Sequence, residues 1–359
     1  MTLPHFRTAL KRQGLGLLAL AWCALLFGCG RPADPQLEIT GPTMGTYYAV
    51  KVARPPAGLD AATLNAGITK VLAAVIGEIS TYDPDSELSR LNRNPSTDWV
   101  PVSSNLYQVL AAGQRISDLS GGAFDITVGP LVNLWGFGPQ GQTDRAPAPE
   151  LIKAALERVG HGKLELRADP PAVRKQRGDI YIDLSALGEG VGADRMATYL
   201  DDLGATDYMA AVAGTMRVRG KNARGQPWGI AIEQPNPAEQ VVQRILPVTD
   251  SAVSTSGDYR NFFEAGGKRY SHHIDPKTGT PVMQRLASTS VVVPVGTGTA
   301  SGAGPHSAMT ADGLATALLV MGETRGPALA ESQALAAYFI IREDSGFREL
   351  SSPAFQRLY

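Results

Sequence analysis

Apolar residues recur along this chain with two periods. Leu64, Ile68, Val71, Leu72, Val75 and Ile79 fall at helical spacing and predict an amphipathic helix over residues 61–80. The same spacing predicts helices over 102–119 and 151–159, and another over 308–322. Ser86 with the acid that follows it caps a short helix after the turn at Asp83-Pro84. Alternating or β-branched runs predict strands over 37–52, 208–220, 228–234 and 286–295, and a strand entered from 252–263 whose partner is 268–274. No internal repeat is visible, and nothing reads as the opening βαβ unit of a parallel sheet. The expectation is therefore α+β, with antiparallel sheets flanked by helices in two lobes.

The chain is organised around residues 179–200. Its start alternates like a short strand, small residues fill a turn, and Met196, Tyr199 and Leu200 have helical spacing. A strand passing through a glycine turn into a helix aims backbone N–H groups and the positive end of the helix dipole at an anion. Asp183 and Glu189 lie beside that turn. Carboxylates next to an anion site need a cation between them, which predicts a phosphate-bearing ligand with Mg²⁺. A dinucleotide fold is the rival, because 188–193 fits G-x-G-x-x-A. Against it, residues 184–187 separate the glycines from the strand, and Asp201 or Asp202 follows too soon. A plain glycine-rich turn is the third reading.

Composition narrows the setting. The 359 residues carry a formal net charge of −1, so no global basic field attracts nucleic acid. With 43% hydrophobic and 19% charged residues the chain is globular, and length suffices for one large domain or two medium ones. Both cysteines, Cys23 and Cys29, lie in the N-terminal segment, so the folded part has no disulfide and no thiol chemistry. Residues 1–29 read as an export signal: Arg7, Lys11 and Arg12 precede an apolar run over 15–27 that ends in Gly28-Cys29. That ending resembles a bacterial lipoprotein cleavage site with Cys29 as the lipidated residue. An ordinary cleaved signal and an uncleaved anchor are the alternatives. Residues 30–38 form a tether and 39–359 the functional unit, held on the periplasmic side of a membrane.

Three further groups carry candidate chemistry. Asp312 and Thr316 stand one helical turn apart on one face and offer a carboxylate and a hydroxyl to a hard cation. His272 and His273 are adjacent in a predicted strand and so point to opposite faces; at most one serves a site, as a base or as a structural residue. Tyr82, Phe124, Trp135 and Phe137 are aromatic candidates for stacking on a flat ring, with core packing the favoured reading for Trp135 and Phe137. Asp258 and Asp275 read as turn residues.

Six separated stretches, 44–46, 82–92, 122–130, 183–194, 256–281 and 311–322, in this order resemble the FAD:protein FMN transferase family called ApbE. The resemblance implies an ApbE-like, T-fold-related architecture and an exported enzyme. Such an enzyme uses Mg²⁺ to split the pyrophosphate of FAD and joins FMN through its phosphate to a threonine or serine of a target protein. It implies Mg²⁺ ligands at Asp312, Thr316 and the Ala186 carbonyl. Flavin-nucleotide contacts are implied at Met44, Tyr82, Ala123, Phe124, Asp125, Asp183, Glu189 and Ile274, with His272 beside the reacting phosphates. The implied acceptors are membrane-associated respiratory flavoprotein subunits of the Nqr (sodium-pumping NADH:quinone reductase), Rnf or NosR (nitrous oxide reduction regulator) type. Glu189 stands where many relatives carry Lys, and Ala213-Gly214-Thr215 replaces a Gly-Gly pair followed by an acid or amide. A Mg²⁺-dependent FAD pyrophosphatase and a non-catalytic FAD-carrying lipoprotein are the competing functions.

Overall fold

The computed structural model describes residues 36–141, 143, 145–236, 239, 241–296 and 307–358. Residues 1–29, read above as an export signal, and Cys29 with them lie outside the described residues. In chain order the first strands are β1 (Leu37–Thr43), β2 (Thr46–Val52), β3 (Val100–Pro101), β4 (Leu164–Ala168), β5 (Pro171–Lys175) and β6 (Tyr208–Val212). Next come β7 (Thr215–Arg219), β8 (Trp228–Glu233), β9 (Val242–Val248), β10 (Ser251–Gly257), β11 (Phe262–Ala265) and β12 (Lys268–Ser271). The last are β13 (Ile274–Asp275), β14 (Thr280–Pro281), β15 (Leu286–Pro294), β16 (Ala336–Glu343) and β17 (Gly346–Ser351). The helices are α1 (Ala61–Ile79), α2 (Glu87–Arg93), α3 (Ser104–Leu119), α4 (Gly129–Leu134), α5 (Pro149–Leu156), α6 (Ser185–Asp202), α7 (Ser307–Ser332) and α8 (Pro353–Gln356).

An eight-stranded antiparallel sheet, ordered β1-β2-β6-β7-β10-β15-β16-β17, forms the frame. Its central strands are buried on both faces: in β15 every residue from Leu286 to Val293 is buried, Ser288, Thr289 and Ser290 included. Val291, Val293, Phe339 and Ile341 face one core with α3, α6 and α7. Val292, Val253, Tyr338 and Ile340 face the other, built with β8, β9 and Phe355 of α8. The first turns of α7 are buried on every side, from Ser307 through Ala315, so this part of the helix has no polar face to give to water. Gly322 breaks it with a non-helical backbone, ahead of Pro327.

The α+β class and the helices near 61–80, 102–119 and 151–159 are as the periodicity predicts, with shifts of one to three residues at their ends. Three expectations are corrected. Residues 37–52 are two strands joined by a tight hairpin, in which Met44 (φ 49°) and Gly45 (φ 74°) both take positive φ. Residues 208–220 likewise fold back on themselves through Ala213 and Gly214. Most consequentially, 179–184 is not a strand and the glycines do not form a turn. Asp183 donates its N–H to the Ile126 carbonyl (2.8 Å), and α6 starts at Ser185 with Gly188, Gly190 and Gly192 inside it.

The physical reason is a helix crossing. A Cβ on Gly190 would lie 2.4 Å from the Met309 Cα and 2.5 Å from the Ala308 carbonyl oxygen, so the missing side chain lets α6 and α7 touch backbone to backbone. Both obstacles are main chain and cannot rotate away. Gly190→Ala is therefore expected to destabilise the protein by about 2 kcal/mol or more in denaturant unfolding, as for overpacked cores. Gly77→Ala, on an exposed part of α1 with open space around it, should be neutral or stabilising by up to ~1 kcal/mol.

Candidate active site

The crossing of α6 and α7 brings two carboxylates together. Asp312, in the second turn of α7 and 7% exposed, accepts the Gly190 N–H through Oδ2 (2.9 Å). Its Oδ1 lies 3.2 Å from both the Thr215 and the Ser254 hydroxyls, which are 2.8 Å from each other. Glu189, beside Gly190 on α6, accepts from the Gly214 N–H (3.2 Å) and the Thr215 hydroxyl (3.3 Å) through Oε2. Burial pushes the Asp312 carboxyl well above the usual carboxylate range, and the Glu189 charge pushes it further. Burial also raises Glu189, with the Gly214 and Thr215 hydrogen bonds and the Arg260 charge acting against the rise. One turn along α7, the Thr316 hydroxyl meets that of Ser256 at 3.2 Å. In a regular helix the Gly190 N–H points toward the Ala186 carbonyl, one turn back on α6.

This donor set fits a hard divalent cation. It is all oxygen, it combines a carboxylate, hydroxyls and a carbonyl, and its uncompensated charge is negative. Among the described residues no three His, Cys, Asp or Glu side chains cluster as a metal site. Mg²⁺ takes one or two protein carboxylates and completes its shell with phosphate oxygens and water.

The other candidate residues lie on several elements, each with its own contacts. Asp183 accepts the Ser185 N–H (2.8 Å) and so pins the first turn of α6. Tyr82 is 63% exposed, and its hydroxyl donates to the Phe137 carbonyl (3.1 Å). Its pKa is raised by burial of the phenol and by the charge of Asp183, which places the two near each other. Met44 packs between the core of α3, α6 and α7 and a neighbouring cluster that includes Leu64, Ile68 and Leu72 of α1. Asp125 is fully engaged: Oδ1 accepts from the Thr127 N–H (2.7 Å) and hydroxyl (2.6 Å), and Oδ2 from the His161 N–H (2.8 Å). Ala123, Phe124 and Ile274 are buried, with 3–5% exposure.

The histidines depart from expectation. Strand β12 ends at Ser271, and the two rings do not oppose each other across a strand; their centroids are 3.9 Å apart. His272 Nδ1 lies 3.0 Å from the Asn261 carbonyl oxygen. A carbonyl only accepts, so Nδ1 carries the proton and Nε2 is left with a lone pair. Burial lowers the His272 pKa, against the hydrogen bond to Asn261, and the imidazole is neutral at pH 7. His273 is lowered much further by burial and by its neighbour, and its buried Nδ1 has no hydrogen-bond partner among the described residues. Trp135 is core: its Nε1–H donates to the Gly279 carbonyl (2.8 Å) and its ring stacks on Tyr270. Phe137 packs on Phe263 and reaches the His272 ring edge-on at 6.3 Å. Asp275 caps its turn through the Lys277 N–H (2.9 Å), whereas Asp258 is an ion-pair partner of Arg342 as well as a turn residue.

Sequence reasoning missed Thr215, Ser254 and Ser256 as members of the site. The alternating hydroxyls of Ser254 and Ser256 in β10 were the available signal, since period two puts both on one face. Thr215 was visible only as a departure from a pattern; here its hydroxyl joins Glu189, Ser254 and Asp312.

A mixed antiparallel fold with an oxygen-lined, doubly acidic seam at a helix crossing is the class of site described so far. The ApbE family model matches residues 44–339, and the chain belongs to that family. The FAD:protein FMN transferase of Vibrio cholerae is 42% identical over 340 residues, covering 95% of this chain and 97% of that protein. The one from Haemophilus influenzae is 38% identical over 360 residues, covering 97% and 99%. Among solved structures, the flavin transferase ApbE of Vibrio cholerae superposes with a TM-score of 0.80 at 40% identity, over 90% of this chain and 99% of that one. The apo flavinyl transferase ApbE of Pseudomonas stutzeri gives 0.80 at 37% identity, over 91% and 97%.

The buried neutral His273 sets a pH dependence. Its folded pKa is depressed, so below the unfolded value near 6.5 only the unfolded chain takes up the proton, and stability is lost as pH falls. Between pH 6.5 and 5 the wild type should lose up to about 1.4 kcal/mol per pH unit relative to His273→Asn, in paired denaturant titrations.

Proposed function

We infer that this chain works on FAD at the seam between α6 and α7. It is an FAD:protein FMN transferase: the FMN half of FAD passes to a flavoprotein acceptor, and AMP is released. The observation that supports this placement is the buried Asp312–Glu189 pair, whose negative charge a cation offsets while it also binds the diphosphate. Asp312 and Thr316 side chains and the Ala186 carbonyl would hold Mg²⁺, which when bound neutralises charge on the phosphate oxygens during phosphoryl transfer.

The chain's own residues do the rest. Asp183 fixes the first turn of α6, so the N-terminal N–H groups of that helix stand ready for phosphate oxygens. Tyr82 offers an exposed ring to a flat heterocycle, and Met44, Asp125 and Glu189 shape the surface around it. His272 Nε2 accepts the proton of the incoming threonine or serine hydroxyl, its tautomer held by Asn261. The hydroxyl oxygen then attacks the FMN phosphorus, and the bond to the AMP phosphate oxygen breaks. Acceptors of the Nqr, Rnf or NosR type suit an enzyme held by a lipid on Cys29 at the periplasmic side of a membrane, a placement motivated by the basic, apolar and Gly-Cys pattern of residues 1–29.

Incubating the membrane-extracted protein with FAD, Mg²⁺ and a threonine-bearing acceptor should leave a flavin-fluorescent acceptor band that survives denaturation, with AMP released in equal amount. Asp312→Ala should abolish the band, and His272→Gln should slow it by roughly 10²–10⁴-fold. Free FMN without a labelled acceptor would instead mean a pyrophosphatase, and intact FAD a carrier. Mass spectrometry of the same preparation should find a chain that begins at a lipidated Cys29; a free N-terminus elsewhere would remove the anchor.

A further inference from the structure

Asp194 lies on α6 one turn beyond Gly190, touches none of the groups assigned to FAD or Mg²⁺, and is 3% exposed. Its carboxylate crosses to the other helix. Oδ1 accepts the Ala308 N–H at 3.1 Å and Oδ2 the Met309 N–H at 2.9 Å, and these are first-turn donors of α7 with no partner inside that helix. Arg217 of β7 sits behind it, with Nη1 3.4 Å from Oδ1. A helix N-terminus is ordinarily capped by the residue that precedes it. Here the cap comes from a different helix, at full burial, with a guanidinium to balance it.

The two helices thus hold each other by two sets of hydrogen bonds running in opposite senses. Asp194 of α6 accepts from Ala308 and Met309 of α7, and Asp312 of α7 accepts from Gly190 of α6. Gly190 and Asp194 are one turn apart on α6, as Met309 and Asp312 are on α7, so the bonds fix both the height and the rotation of α7 at the point where Asp312 meets Glu189. Met309 and Ala308 are also the residues whose backbone lies against Gly190. A helix held by Asp312 alone could slide or turn about that single contact.

We propose that Asp194, backed by Arg217, is a positioning residue that sets Asp312 and Thr316 at the height needed to hold a divalent cation. The proposal rests on the reading above that those two side chains bind Mg²⁺. Asp194→Asn keeps the size of the side chain but turns one acceptor into a donor facing an N–H. Loss of such an outer partner typically weakens metal binding by about 10–100-fold. Arg217→Gln leaves the carboxylate in place without its counter-charge and should act in the same direction by a smaller factor.

The test measures the Mg²⁺ concentration giving half-maximal FMN transfer, together with Mn²⁺ binding to the full chain by electron paramagnetic resonance and FAD binding in EDTA by fluorescence. Asp194→Asn should raise the half-maximal Mg²⁺ about tenfold or more, weaken Mn²⁺ binding by a similar factor, and regain transfer at saturating Mg²⁺, with FAD affinity in EDTA unchanged. Asp60→Ala, which removes the cap of α1 at the Thr63 N–H, is the control: it costs stability without moving the Mg²⁺ requirement. If Asp194→Asn keeps the wild-type Mg²⁺ requirement, or loses transfer equally at every Mg²⁺ concentration, the positioning role is wrong. If that variant does not fold, Arg217→Gln decides by the same readouts. A wild-type protein whose transfer ignores Mg²⁺ would overturn the metal reading itself, which is a different result from either.

Discussion

Two helices packed backbone to backbone at Gly190 bury a carboxylate that a folded protein would otherwise keep in water. Asp312 accepts from the Gly190 N–H and has the Thr215 and Ser254 hydroxyls within reach, yet the second acid beside it and the dry surroundings still leave its charged form disfavoured. Removing a charge from water costs several kcal/mol even after relaxation, and hydrogen bonds return only part of that. The seam is therefore a place where stability is given up. Such strain is tolerated where a ligand of opposite charge completes the arrangement.

The rest of the fold supplies rigidity to that seam. Central strands covered on both faces, and first turns of α7 that are buried all round, keep Asp312 inside the core, where the hydrogen bonds to α6 set its height. The hydroxyls that complete the site come from strands β7 and β10 of the same sheet, so carboxylates and hydroxyls are referenced to one frame. The histidine pair belongs to a different setting, after the small β11–β12 hairpin and against Phe137. Chemistry that brings a foreign hydroxyl to a diphosphate needs such a division: fixed charge from the core, and the proton acceptor from an element nearer the surface.

Much of this was legible in the residues. The helical stripe of Leu64, Ile68, Leu72, Val75 and Ile79 is buried as its spacing requires, and Asp312 and Thr316 share a helix face. What misled was residues 179–200. Glycines scattered through a helix have the same local signature as glycines in a turn, because the property that distinguishes them, the neighbour at Gly190, is 118 to 119 positions away in sequence at Ala308 and Met309. The histidines misled for a related reason: strand alternation holds only while the ladder continues, and β12 stops one residue before His272. Asp194 carried no local sign at all, since its partners are the first amides of a helix more than a hundred residues on.

The central claim is that a divalent cation offsets the charge buried at the α6–α7 seam, and thermal unfolding tests it most directly. The midpoints of the wild type and Asp312→Asn would be compared in EDTA and then with Mg²⁺ and ADP. In EDTA the variant should unfold about 2–8 °C above the wild type, because it no longer buries an acid beside Glu189, and Mg²⁺ with ADP should raise only the wild type. A variant less stable than the wild type in EDTA, and equally stabilised by Mg²⁺ with ADP, would contradict the account.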